Sequence, residues 1–121
     1  MLQRNRRDAA PFTAPDGSTI REFLNPRNSP LQNQSLAQAS LPPNTATTRH
    51  FHPLAEEIYF ILSGQGLMEI EGVPFEVGEG DAIPIPSGKK HKIRNTGESQ
   101  DLVFLCCCAP AYCDEDTILS E

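Results

Sequence analysis

His50 and His52 stand one residue apart in Arg49-His50-Phe51-His52-Pro53, Glu57 follows after a short loop, and His91 closes Gly88-Lys89-Lys90-His91. These are the chain's only 3 histidines, and they fall in two short segments. On an extended strand, residues i and i+2 point to one face, so His50 and His52 can aim two imidazoles at one point. With a third imidazole and a carboxylate, the set becomes three nitrogens and one oxygen, suited to Mn, Fe, Co, Ni, Cu or Zn. Three unrelated histidines would have no reason to cluster in this way.

The spacing extends beyond the ligands. Asn44 to Gly64 reads Asn-x5-His-x-His-x4-Glu-x6-Gly, and Gly80 to Asn95 reads Gly-x5-Pro-x-Gly-x2-His-x3-Asn through Pro86, Gly88 and His91. These two stretches resemble the paired motifs of the cupin superfamily, which includes germins, dioxygenases, decarboxylases and sugar isomerases. Asn44 departs from the family's usual glycine, but Asn tolerates positive φ better than most residues, so the turn is expected to survive. The resemblance implies an all-β fold, a single cupin barrel of the double-stranded β-helix or jelly-roll type. It also implies one divalent transition metal per chain, held by His50, His52, Glu57 and His91. It is specific for fold and metal, and far less so for reaction.

The choice of carboxylate is not settled by periodicity alone. Glu56 and Glu57 are adjacent and point opposite ways on a strand. Placing Ile58, Phe60 and Leu62 inward would favour Glu56. The family spacing favours Glu57, which puts Tyr59 and Ile61 inside and leaves Ile58, Phe60 and Leu62 as an outward apolar stripe. Because family members commonly pack barrel against barrel, that stripe is expected to be a homodimer interface.

Four protein donors on a six-coordinate ion leave two adjacent positions open, which marks a site for chemistry and not a structural one. A keto or hydroxy acid, a diketone or a sugar-like compound would offer two neighbouring oxygens to them. The ion would then serve as a Lewis acid, or as an O2-activating centre if it is iron(II). Oxygenase chemistry stands slightly ahead of isomerase or decarboxylase chemistry, with a non-catalytic small-ligand module as a further alternative. Tyr59, facing inward, is the candidate proton donor or orienting hydroxyl, although a buried ring with a bonded hydroxyl is an equally good reading. Gln34 and Gln38 share a face that can reach ligand, or simply meet solvent.

The elements that must position these groups are short strands. Thr19 to Leu24, Gln34 to Leu41, Thr45 to His52, Glu57 to Leu62 and Leu102 to Cys108 each read as β. Leu67–Glu71 and Val73–Val77 read as a hairpin around Gly72. Asp81 to Pro86 carries two prolines, which suit an edge strand. No long helical period intervenes, so a barrel or sandwich is expected, with a helical turn only in the tail. Residues 1–16 read as an N-terminal arm, 17–112 as the barrel and 113–121 as a short tail.

The whole chain is consistent with a small-molecule ligand as partner. Ten basic residues against 16 acidic give a net charge of −6, which argues against nucleic acid and anionic membranes. The basic start, Arg4, Arg6 and Arg7, lacks an apolar segment behind it, so no signal peptide or membrane span is expected. Cys106, Cys107 and Cys108 are consecutive, with Cys113 beyond. Neighbours on a strand do not meet disulfide geometry, which suits a reducing cytoplasm. Their plain role is as small apolar strand residues, although a thiol lining the cavity can tune a metal. Lys90, Lys92 and Arg94 fall on the face opposite His91 and read as solvated surface.

Overall fold

The computed structural model describes residues 3–121. Among the described residues, eleven strands run β1 (Phe12–Thr13), β2 (Thr19–Leu24), β3 (Ser35–Leu41), β4 (His50–Phe51), β5 (Glu56–Ser63), β6 (Gln65–Ile70), β7 (Val73–Gly78), β8 (Ala82–Ile85), β9 (His91–Asn95), β10 (Leu102–Ala109) and β11 (Ile118–Leu119). They form two antiparallel sheets, ordered β1-β2-β3-β10-β5-β8 and β11-β4-β9-β6-β7. This is the all-β jelly-roll barrel that the motifs imply. Apolar residues of alternating strands meet between the sheets, among them Leu41, Tyr59, Ile61, Met68, Ile93 and Phe104. Their alternation with exposed neighbours on β5 is the two-residue period of a half-buried strand.

Local chemistry explains most boundaries. The β6–β7 hairpin closes through Glu71 and Gly72, both at positive φ. That is the type I′ two-residue loop, whose backbone matches the twist of the strands. Glu71 bears that conformation while its N–H donates to the Lys90 carbonyl and its carboxylate accepts from the Lys90 N–H. β8, with Pro84 at its centre, lies at the sheet edge, because a proline there withholds no ladder donor from a second neighbour. Asn44 takes φ 61, so the turn survives without glycine.

Two expectations need correction. The strand expected over 45–52 is reduced to His50–Phe51, plus an isolated bridge between Ala46 and Arg94. The reason is the threonines themselves: the Thr47 hydroxyl accepts the Ile93 N–H in place of a backbone carbonyl, and the Thr48 N–H donates to the Asp16 carbonyl. In the stretch read as an arm, residues 12–13 pair with β2, and Ala9, Ala14 and Asp16 are buried. The tail likewise folds back: Asp114–Asp116 make one 3-10 turn and β11 pairs with β4. Among the described residues, no helix is long and apolar enough to cross a membrane.

Candidate metal centre

β4 and β9 are neighbours in one sheet, and His50 and His91 are direct cross-strand partners. Their rings lie 4.3 Å apart between centroids. His52, two residues along from His50, brings its ring within 5.1 Å and 5.5 Å of the other two. Glu57 reaches in from β5 on the opposite sheet. All four are buried, whereas Glu56 is exposed. The burial on β5 therefore follows the Glu57 phase, with Tyr59 and Ile61 inside and Ile58, Phe60 and Leu62 outside.

Backbone carbonyls fix the direction of each imidazole. Nδ1 of His50 lies 2.7 Å from the Thr48 carbonyl, that of His91 2.9 Å from the Lys89 carbonyl, and that of His52 3.0 Å from the Asp116 carbonyl. A carbonyl only accepts, so each neutral ring carries its proton on Nδ1 and turns an Nε2 lone pair inward. The Lys89 N–H donates to the Pro86 carbonyl, and Lys90, the next residue, is held by two bonds to Glu71 just before β9 begins. Asp116 accepts the N–H groups of Leu54 and Ala55, clamping the loop between His52 and Glu57. Neither Asp116 nor Asp16 was expected from the sequence. Asp16 lies in Asp16-Gly17-Ser18, which reads as an ordinary turn, and Asp116 in the acidic run Asp114-Glu115-Asp116, which has no strand or helix period.

The three histidine donor atoms lie within 4.8 Å of one another. Glu57 Oε1 stands 3.3 Å from His52 Nε2 and 3.6 Å from His91 Nε2. Donors bound to one ion at about 2.1 Å sit roughly 3.0–3.4 Å apart, close to the two Glu57 distances of 3.3 and 3.6 Å. Glu57 Oε1 and His91 Nε2 are buried without any hydrogen-bond partner. Buried acceptors facing one another are costly unless a cation or proton lies between them. The three histidines can therefore hold a metal ion, with Glu57 facing two of them.

The electrostatics agree. Burial opposes the Glu57 carboxylate, but the two imidazoles that face it, His52 and then His91, outweigh burial and hold its pKa at about 2. Burial also opposes the His52 imidazolium, yet Glu57 and Asp116 overcome it, so its pKa is raised. His50 moves the other way, lowered by burial and by the charge of His91. The second Glu57 oxygen, Oε2, accepts the Cys108 thiol at 3.3 Å. Burial and Glu57 push the Cys108 and Cys106 thiols up, so both stay protonated at neutral pH.

Beside these side chains, a cavity of about 570 Å³, counting its open mouth, is lined by His50, His52, Glu57 and Tyr59. Phe104, Cys106 and Cys108 of β10 form part of its wall, but Gln34 and Gln38 stand away from it. Tyr59 is buried, its ring 4.6 Å from that of Phe104 and 5.9 Å from that of His91. Burial, then the Glu57 charge, raises its pKa well above the usual phenol value. Among the described residues the cysteines form no metal cluster of their own.

Comparison with known proteins agrees with this geometry. The protein MJ1618 of Methanocaldococcus jannaschii is 46% identical over 111 residues, covering 92% of this chain and 88% of its own. The oxalate-binding protein of Thermotoga maritima is 39% identical over 69 residues, covering 57% of this chain and 56% of its own. The polyketide cyclase RemF of Streptomyces resistomycificus superposes with a TM-score of 0.76 at 28% identity, over 90% of this chain and 79% of that one. The family model described as the cupin domain matches residues 37–108, more than half of the sequence. With its two-sheet barrel and its cluster of His50, His52 and His91 able to bind a metal, the chain belongs to the cupin family.

Proposed function

We propose that the protein is a metal-dependent enzyme whose one divalent transition ion is held by His50, His52, Glu57 and His91. Its substrate is a small molecule presenting two neighbouring oxygens. The observation that carries this reading is the pair of partnerless buried acceptors, Glu57 Oε1 and His91 Nε2, beside two further inward lone pairs. A bound ion would supply Lewis acidity, and iron(II) would add O2 chemistry. The chain's own residues supply the rest. The three carbonyls keep the imidazoles oriented, Cys108 holds Glu57 Oε2 so that Oε1 faces the histidines, and Tyr59 Oη remains a proton donor at neutral pH. Oxygenation stands first among the reactions because it asks for the fewest proton-transfer groups; isomerisation and decarboxylation follow.

The name of the Thermotoga relative, an oxalate-binding protein, favours a second reading, a module that binds metal and ligand without turnover. Elemental analysis together with O2 uptake on a panel of diketones, thiols and keto acids separates the two. Turnover on any of them supports the enzyme, and Tyr59→Phe should then lower kcat by about 10²-fold at unchanged metal content. A metal-loaded protein that turns over none of the panel, and forms no isomer or decarboxylated product, supports the binding module.

The outer face of β5 supports a homodimer. Ile58, Phe60 and Leu62 are 51%, 39% and 37% exposed, and Pro84, Leu105 and Cys107 pair beside them on the neighbouring strands. Light scattering behind size exclusion should give twice the chain mass, and Phe60→Asp should return the monomer. A wild-type monomer would sink this assembly. The four free cysteines fit a reducing cytoplasm.

A further inference from the structure

The cavity wall carries an asymmetry of charge that bears on what it admits. Asp16, Glu22 and Glu57 all line it, and among the described residues no lysine or arginine does. Glu22 is the outermost of the three in its bonding, paired with Asn25 and with Arg27 at the surface. Asp16 is buried. Its Oδ1 accepts both the N–H and the hydroxyl of Ser18, at 3.0 and 2.6 Å, and this fixes its side chain. Its Oδ2 lies 3.7 Å from His50 Nε2, so a second carboxylate stands immediately beside the proposed ligand set. Ala14, Ile20, Ala37, Ala39 and Phe104 make the rest of this wall apolar.

A divalent ion with Glu57 carries one net positive charge, and Asp16 cancels it. A dicarboxylate entering this pocket would bring two negative charges next to Asp16, with the ion's charge already cancelled and no lysine or arginine in the lining to balance them, and like charges in a low-dielectric site repel strongly. A neutral ligand avoids that repulsion. A hydroxyl beside its metal-directed carbonyl would also donate to the free Asp16 Oδ2, and an apolar body would match the walls.

Resting on the metal reading above, we propose that the cavity takes a neutral hydroxyketone, or the enol of a diketone, with an apolar body. It excludes small dicarboxylates, and Asp16 decides between the two classes. The test is calorimetric titration of the cobalt(II)-loaded full chain with maltol, a neutral ring hydroxyketone, and with oxalate. Metal content is measured before and after each titration. Maltol should bind at least about tenfold tighter than oxalate. Asp16→Asn, which keeps the turn acceptor for Ser18, should raise oxalate affinity by about tenfold and weaken maltol, with cobalt occupancy unchanged.

Oxalate binding as tightly as maltol to the wild type would overturn the proposal without any variant. So would an Asp16→Asn protein with both affinities unchanged, or one that has lost cobalt, which would make Asp16 a ligand. A wild-type chain that binds no cobalt fails earlier, and takes down the metal reading and this proposal together.

Discussion

Glu57→Gln lowers the metal content of the purified protein by about tenfold or more, while Glu56→Gln leaves it unchanged. His91→Ala strips the site. The two glutamates are neighbours of the same type, so composition and expression are matched and only direction differs: Glu57 is buried against two imidazoles and Glu56 faces solvent. Elemental analysis of freshly prepared protein reads the outcome. Full occupancy in His91→Ala, or loss in Glu56→Gln alone, would show that the donor set is misassigned.

The same charges set a pH dependence. The His52 pKa is raised, so its imidazolium forms already above the ordinary histidine value and competes with the ion as pH falls through it. Glu57, held at about 2, stays ionised across that range and contributes no competition. Occupancy titrated from about pH 8 to about pH 5 should therefore fall along a histidine, not a carboxylate, transition.

Gly64→Ala should cost about 3–4 kcal/mol of stability, against about 1–2 kcal/mol for Gly80→Ala. Both glycines sit at φ +90, where an L side chain is strained. They differ in space. A Cβ on Gly64 would lie 2.7 Å from the Asp101 carbonyl oxygen and 3.0 Å from the Leu102 Cα, whereas a Cβ on Gly80 meets nothing within 4 Å. Asp101 and Leu102 are backbone at the start of β10, a central strand of the larger sheet, so the clash cannot be relieved by a side-chain rotation. Urea unfolding of the two variants measures the difference. Equal losses would mean that β10 yields, and that backbone strain alone explains the glycine.

The sequence by itself determined the barrel, its edge and the family. Strand periods, the prolines of β8 and the paired motifs are local signals, and each reports the conformation of the residues that carry it. The direction of β5 was harder, because both of its faces are apolar: Tyr59 and Ile61 pack inward while Ile58, Phe60 and Leu62 lie outside. Periodicity gives a repeat but not its phase, and burial supplied the phase. Only the tertiary structure revealed Asp16 and Asp116. The first reaches the cavity because residues 12–13 pair with β2, and the second holds His52 from 64 positions away. A hydrogen bond across such a separation leaves no trace in neighbouring residues, since nothing local to Asp116 needs to change for it to form. The candidate donors were legible because metal binding asks for particular residue types; the groups that aim the histidines are carbonyls, which every residue has.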